Sequence, residues 1–178
     1  MTTTTASRSE IDLRSPSRFV GGFRNKIDQK GRVSVPADFR RHLDLESEEP
    51  SPVLFCCPSL WEPELQCGGA DLVEVLLEVV ATQDVLEKKR AAMERAVTSF
   101  TERLYFDENG RVVLPKRLRD HARVEGHVSF AGAGPFFTMS AGESLEDLWA
   151  LATDLSEEDK DVLRARSMPS TLAKRARP

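Results

Sequence analysis

The sequence has few cysteines and no long apolar run, and both shortages narrow the class of protein. Its three cysteines are Cys56, Cys57 and Cys67. An odd number, with two of them adjacent, disfavours a disulfide framework and favours a reducing cytoplasm. No apolar run reaches the ~18–20 residues of a membrane helix, and residues 1–18 lack the apolar centre of a secretory signal. We therefore expect a cytoplasmic protein without a membrane partner, preceded by a disordered polar arm over 1–18.

Signatures of catalysis and of metal binding are also missing. There is no G-x-S-x-G motif, no P-loop and no G-x-G-x-x-G motif. No C-x-x-C occurs, and Cys57 and Cys67 have no histidine at ligand spacing. His42 and His121 end predicted short helices, where packing or a favourable interaction with the helix dipole accounts for them. We predict a protein that is not an enzyme, with no catalytic residue, metal site, cofactor or small-molecule substrate.

An excess of positive charge is missing as well, because the net charge is −4. The charge is nevertheless polarised along the chain. Residues 18–42 carry seven basic side chains against two acidic ones, a net of +5, and residues 102–121 carry a net of +1. Residues 143–161 carry a net of −7. An acidic chain with one basic segment can still bind nucleic acid locally, since the distribution of charge matters more than its sum.

One motif occurs twice in this chain: DQKGRVSVP at 28–36 and DENGRVVLP at 107–115. The similarity extends downstream to a matching arginine and a matching histidine. The matched positions are Asp28, Gly31, Arg32, Val33, Pro36, Arg40 and His42 with Asp107, Gly110, Arg111, Val112, Pro115, Arg119 and His121. LQCGGADLVEVL (65–76) also resembles FTMSAGESLEDLW (137–149). The chain therefore reads as two copies of one unit.

The repeat defines the expected domains. The first unit covers 19–81 and the second 101–153. A linking helix lies in 82–100, with Leu86, Met93, Val97 and Phe100 as its apolar stripe. Residues 154–178 form a tail that is first acidic and then basic, in which Ser156 and Asp159 can cap a last short helix.

Each unit predicts the same run of elements. Asp-x-x-Gly is typical of a type I turn with a positive φ at glycine, so a hairpin forms with Asp28 and Gly31, or Asp107 and Gly110, in its turn. The predicted strands are 21–28, 32–35, 52–57 and 65–67 in the first unit, and 101–107, 111–114, 127–132 and 136–139 in the second. Pro36 and Pro115 suit the first turn of a helix. Further helices are predicted at 71–81 and 143–152.

Basic side chains concentrate around the first hairpin. Arg24, Lys26, Lys30 and Arg32 could project from one two-stranded ribbon, which fits a DNA major groove. Arginine can bind guanine edges or phosphates with two hydrogen bonds at once. The alternative is a solvated strand face in which Asp28 pairs with Arg32 to hold the turn, and both roles can coexist. Arg111 is the matching candidate in the second unit.

At these residues the chain resembles the MraZ family, whose signature is a D-x-x-x-R motif in each half. Here the motifs are Asp28–Arg32 and Asp107–Arg111. The resemblance implies a mainly β fold with flanking helices, a tandem-duplicated, double-split, swapped-hairpin β-barrel of the AbrB and MazE kind. It also implies ring-shaped homo-oligomers that bind direct repeats in the promoter of the division and cell-wall gene cluster. The extra residues 1–18, and CGGADL where members often carry Tyr-Pro and Glu-Trp pairs, depart from the family.

The leading interpretation is therefore a sequence-specific DNA-binding repressor associated with the nucleoid. Its double-stranded DNA contacts would be Arg24, Lys26, Lys30, Arg32 and Arg111, with Asp28, Gly31, Asp107 and Gly110 shaping the turns. One alternative is an AbrB-like protein-interaction module that has lost DNA binding and uses the acidic segment 154–161. Another is an antitoxin of the AbrB or MazE type, against which the duplicated unit and the short tail argue.

Overall fold

The structure is a computed structural model that describes residues 19–46, 52–142 and 145–166. The strands in these ranges are β1 (Gly22–Lys26), β2 (Arg32–Ser34), β3 (Val53–Pro58), β4 (Leu65–Gly68), β5 (Glu102–Tyr105), β6 (Arg111–Val113), β7 (His127–Gly132) and β8 (Phe137–Ser140). The helices are α1 (Ala37–Glu46), α2 (Leu72–Ala81), α3 (Glu87–Phe100), α4 (Lys116–His121), α5 (Leu145–Thr153) and α6 (Glu157–Arg166). The fold is mainly antiparallel β-sheet with helices, as the sequence predicts.

The strands of the two repeats exchange partners. A six-stranded sheet has the order β1-β7-β8-β4-β3-β5, and β2 and β6 form a separate two-stranded sheet. The first half of the molecule comprises β1 to β4 with α1, and the second half comprises β5 to β8 with α4. Strand β1 of the first half pairs with β7 of the second, and β5 of the second half pairs with β3 of the first. Every pairing between these strands is antiparallel. With the β2–β6 and β4–β8 pairs, four pairings of the described strands join the two halves.

The predicted ribbon of β1 and β2 is wrong as a strand pairing. After the turn only Ile27 bridges to Val33, and β1 then follows β7 while β2 follows β6. The reason is burial. The β2–β6 pairing sets Val33 against Val112, and both side chains are buried in the common core. If β2 paired with β1 of its own half instead, the apolar side of β2 would lose the burial that pairing with β6 provides.

The main core joins both halves through aromatic rings. Phe19 and Phe39 from the first half pack with Phe130 and Phe137 from the second, and all four are buried. Phe39 and Leu43 share the inner face of α1, as their spacing of four predicts. The three cysteines are buried free thiols, which confirms their interpretation as small core residues.

A smaller core lies between α2 and α3. Leu72, Leu76 and Val80 recur every four residues on α2 and pack with Val97 of α3. The predicted apolar stripe of the linking helix is wrong at both ends, since Leu86 is 83% exposed and Phe100 is 49% exposed. Leu86 precedes the first turn of α3, and the Phe100 ring lies 5.1 Å from the Arg117 guanidinium instead of in a core.

The chain divides between Gly142 and Glu143 into two compact units. The second contains α5 and α6, and Ser156 and Asp159 cap α6 reciprocally as predicted: the Asp159 N–H donates to Ser156 Oγ at 3.1 Å. The division falls inside the predicted second repeat, 101–153, and the domain boundaries stay a prediction. The predicted arm over 1–18 and the basic end of the tail, 167–178, lie outside the described residues. Among the described helices none is long and apolar enough to cross a membrane.

Candidate nucleic-acid interface

The first Asp–Arg turn is closed by hydrogen bonds to a single carboxylate. Asp28 Oδ1 accepts from the backbone N–H groups of Lys30 and Arg32, each at 2.9 Å. Asp28 Oδ2 accepts from Arg32 Nε at 2.6 Å. The Gly31 N–H donates to the Asp28 carbonyl at 2.9 Å, and Gly31 has φ +81°. The sequence predicts both the turn and the positive φ, and the structure confirms them.

The second turn repeats this geometry. Asp107 Oδ1 accepts from the N–H groups of Asn109 and Arg111, at 2.9 and 3.0 Å. Asp107 Oδ2 accepts from Arg111 Nε at 2.8 Å, and Gly110 has φ +68°. Within the described part of the chain, the terminal amino groups of Arg32 and Arg111 donate no hydrogen bond to another residue. Each aspartate thus orients its arginine through Nε and leaves the end of the guanidinium free for a phosphate or a base edge.

Strand exchange brings the two arginines onto one surface. In the β2–β6 pair Arg32 is opposite Val113 and Ser34 is opposite Arg111. Because alternate residues of a strand point to one side, these four side chains share the outer face, while Val33 and Val112 face the core. Arg32 and Arg111 are diagonal neighbours, which places the two residues roughly 7–8 Å apart, with their Cβ atoms somewhat closer. We call this face, with Arg32, Ser34, Arg111 and Val113, the arginine ribbon.

The other predicted contacts are not part of the arginine ribbon. Arg24 and Lys26 are exposed on β1, an edge strand of the larger sheet, opposite Ser129 and His127. Lys30 lies exposed in the first turn, next to the ribbon. Asn25 ties β1 to β2, since its Nδ2 donates to the Ser34 carbonyl at 2.7 Å. The structure therefore brings Arg32 and Arg111 together and places Arg24 and Lys26 on a different strand pair.

The two halves differ in the exposed side chains around their turns, although their sequences match at the turns themselves. Tyr105 stands where the first half has Lys26, and Val113 stands where it has Ser34. Tyr105 is 70% exposed and Val113 is 52% exposed. The second half therefore offers apolar side chains at positions that are basic or polar in the first.

Sequence reasoning assigned no role to two arginines that the structure places beside the turns. Arg40 of α1 donates through Nε to the Val35 carbonyl at 3.2 Å, and Arg119 of α4 donates in the same way to the Leu114 carbonyl at 3.1 Å. Both are partly buried. Their equivalent positions in the repeat were the available signal, but an exposed helical arginine gives the same sequence pattern.

The hydrogen bonds in the turns predict how the aspartates titrate. The backbone N–H of Arg32 lowers the pKa of Asp28 most; partial desolvation opposes this, and the Arg32 side chain lowers the pKa further. Asp107 is shifted downwards in the same way by Arg111. A carboxyl whose pKa is lower in the folded state stabilises the fold above its unfolded value of about 3.9, and that stabilisation is lost as the pH falls through the folded value. The turns should therefore be unaffected between neutral pH and about pH 4 and weaken below it.

Carboxyl NMR titration of wild type and Arg32→Ala checks this. We expect the pKa of Asp28 to lie below its usual value in the wild type and to rise only part of the way in the variant, because the Arg32 backbone N–H remains. Asp107 in the same spectra is the internal control and should not move. A full return of Asp28 to its usual value would show that the side chain, not the backbone, dominates.

In the parts of the chain that the structure describes, no group of three or more histidine, cysteine, aspartate or glutamate side chains could hold a metal ion. The most distinctive chemistry of the described residues is therefore the paired arginines and their aspartates. The two copies of the β unit exchange strands, and each presents one arginine held by an aspartate. These features define the class: a duplicated, mainly β protein with a composite basic ribbon.

Comparison with known proteins identifies the family, although no family model matches the chain. The chain is 34% identical to the transcriptional regulator MraZ of Xanthobacter autotrophicus over 150 residues, which cover 84% of this chain and 94% of the relative. It is 33% identical to MraZ of Rickettsia bellii over 83% of this chain and 95% of the relative. With MraZ of Azorhizobium caulinodans it shares 37% identity over 68% of this chain and 76% of the relative. The chain belongs to the MraZ family.

Proposed function

We propose that this protein is a sequence-specific DNA-binding transcriptional regulator whose recognition surface is the arginine ribbon. The observation that carries the proposal is the placement of Arg32 and Arg111 on one exposed face, each with its Nε held by an aspartate. A two-stranded ribbon fits the DNA major groove, and guanidinium groups with free ends can bind guanine edges or phosphates bidentately. Membership of a family whose relatives are named transcriptional regulators supports it.

Arg24, Lys26 and Lys30 are proposed as supporting contacts to the DNA backbone. They belong to the basic segment 18–42, and Arg24 and Lys26 are exposed along one edge strand. Phosphate contacts position a protein on DNA without reading its sequence. In this proposal the arginine ribbon reads the base sequence, while Arg24, Lys26 and Lys30 hold the protein on the phosphate backbone. The proposal places the protein in the cytoplasm, on the nucleoid.

The proposal extends to assembly and target. The exchanged pairings of β1 with β7, β5 with β3 and β2 with β6 support a double-split, swapped-hairpin barrel. A ring of copies would explain how a chain of net charge −4 binds DNA, because a ring repeats one basic surface on one side. Direct repeats in a promoter match such a ring, and we propose repression of the division and cell-wall gene cluster. The domain boundaries at 19–81, 82–100 and 101–153 belong to the same proposal.

An alternative function follows from the exposed apolar side chains of the second half. Tyr105 and Val113 could contact a protein instead of DNA, as in an interaction module or an antitoxin-type protein. Val113 lies on the arginine ribbon, and Tyr105 ends β5, the edge strand of the larger sheet that leads into the second turn. The DNA titration below separates the two functions.

Removing Arg32 should weaken specific binding by about 10- to 100-fold, since a bidentate arginine contact contributes about 1–3 kcal/mol. Fluorescence anisotropy with labelled DNA from upstream of the gene, with scrambled DNA as competitor, measures this for wild type and Arg32→Ala. Arg95→Ala is the matched control, because it removes the same charge from α3, which packs on α2 and β3; its affinity should stay near wild type.

The same titration at two salt concentrations tests the share of phosphate contacts. Affinity should fall steeply with salt, as counterion release requires. A folded wild type that binds scrambled DNA as well as the upstream DNA would refute the regulator and favour the protein-interaction module.

A further inference from the structure

Arg40 and Arg119 are each anchored in one half of the molecule and reach the turn of the other. Arg40 Nε donates to Val35, which follows β2 of its own half, and Arg119 Nε donates to Leu114, which follows β6. These two carbonyls lie where the exchanged strands end. The repeat places the two arginines at equivalent positions, so one arrangement occurs twice.

The arginine of the opposite half lies in front of each turn glycine. At Gly31 it shares that space with the Leu114 carbonyl oxygen, which would lie 2.7 Å from an added Cβ atom. A Cβ atom added to Gly110 would lie 2.5 Å from Arg40 Cζ and 2.8 Å from Arg40 Nε. A Cβ atom added to Gly31 would lie 3.2 Å from Arg119 Nε. Each guanidinium therefore lies against the backbone of a glycine. It can approach so closely because glycine has no side chain.

Backbone hydrogen bonds also join each half to the turn of the other half. The Val35 N–H donates to the Gly110 carbonyl at 3.2 Å, and the Leu114 N–H donates to the Gly31 carbonyl at 2.8 Å. The residue whose carbonyl anchors each arginine thus also binds the opposite turn through its N–H. The glycine carbonyl belongs to the peptide that joins Gly31 to Arg32, or Gly110 to Arg111. The position of each ribbon arginine is consequently set by groups from the other half.

We propose that Arg40 and Arg119 are positioning residues that act across the two halves. Arg119 holds the Asp28–Arg32 turn, and Arg40 holds the Asp107–Arg111 turn, in the orientation that DNA recognition needs. This inference rests on the proposed DNA-binding function. It assigns the planar guanidinium a task that lysine cannot perform, because a flat group can lie on a glycine peptide while its Nε donates along its edge.

A crossed pattern of coupling tests the proposal. Arg119→Met should lower affinity for the upstream DNA about tenfold, and should add less than about twofold in a chain that already carries Arg32→Ala, because coupled residues are non-additive. Its full effect should remain in a chain that carries Arg111→Ala. Arg40→Met should show the reverse pattern. An equal effect in both backgrounds, or coupling within one half, would overturn the proposal.

The conservative variant separates positioning from direct DNA contact. Arg119→Lys keeps the positive charge, so a phosphate contact would survive while the planar contact with Gly31 would be lost. We expect Arg119→Lys to lose most of the affinity that Arg119→Met loses. A lysine variant that binds like wild type would show that only the charge matters and would overturn the positioning role.

Amide hydrogen exchange provides a readout that does not depend on DNA. In Arg119→Lys the Gly31 and Arg32 amides, which donate to Asp28, should exchange faster while the Gly110 and Arg111 amides keep their wild-type rates. Arg40→Lys should show the opposite. Faster exchange in both turns, or in neither, would overturn the crossed positioning. If wild type shows no preference for the upstream DNA, the proposed function fails, while the exchange pattern still decides whether the arginines hold the opposite turns.

Discussion

Replacing Phe39 by alanine is expected to lower the free energy of unfolding by about 3–5 kcal/mol. Phe39 is fully buried on α1, and its ring centroid lies 5.5 Å from that of Phe19, 5.3 Å from Phe23 and 4.7 Å from Phe137. The substitution removes a ring that packs between first-half aromatics and Phe137 of the second half. The loss combines the transfer free energy of the ring with the cost of a cavity that rigid sheet neighbours cannot fill.

Urea unfolding followed by circular dichroism measures this change, and the melting temperature should fall by roughly 6–20 °C for a chain of this length. Phe100→Ala is the matched control. Phe100 is half exposed and its ring contacts the Arg117 guanidinium, so its removal should cost at most about 1 kcal/mol. Equal losses for the two variants would contradict the assignment of the core.

Replacing Gly110 by alanine should cost about 2–5 kcal/mol, from two separate causes. The residue has φ +68°, which costs a side-chain-bearing residue about 1–2 kcal/mol. The new methyl group also overlaps the Arg40 guanidinium, and overpacking of this kind costs about 1–3 kcal/mol. The first cause belongs to the turn alone, and the second arises only because the halves interlock.

A second substitution can separate these causes. In Gly110→Ala with Arg40→Ala the overlap is gone, so the combined cost should be lower than the sum of the single costs by about 1 kcal/mol. Gly31→Ala with Arg119→Ala is the comparison. There a Cβ meets the Leu114 carbonyl oxygen at 2.7 Å, a backbone atom that Arg119→Ala does not remove, so its costs should be closer to additive. Equal coupling in both turns would show that the guanidinium is not the obstacle at Gly110.

The local features of the molecule could be predicted because their causes lie within a few residues. Asp28 bonds to N–H groups two and four residues away, and Gly31 needs its positive φ for the same turn. Proline before a helix and the pair Ser156 and Asp159 before α6 are equally short-range signals. The repeat then transfers each prediction from one half to the other, so the second turn follows without new evidence.

The composite site could not be predicted in the same way. The sequence places Arg32 and Arg111 79 positions apart, and an Asp-x-x-Gly turn indicates a hairpin whose strands pair with each other. The predicted burial of Leu86 and Phe100, at the ends of the linking-helix stripe, was wrong for a related reason. Helical periodicity identifies a face but does not show whether a neighbouring element covers it.

The sequence by itself therefore determined the duplication, the two Asp–Arg turns, the order of strands and helices, and the resemblance to MraZ. Only the tertiary structure decided that β1 pairs with β7 and β2 with β6, that Arg32 and Arg111 share one face, and that Arg40 covers Gly110. The physical reason is that turn hydrogen bonds are satisfied locally, whereas partner choice depends on which pairing buries Val33, Val112 and the aromatic rings together. That burial joins residues from both halves, and no short window of the sequence contains it.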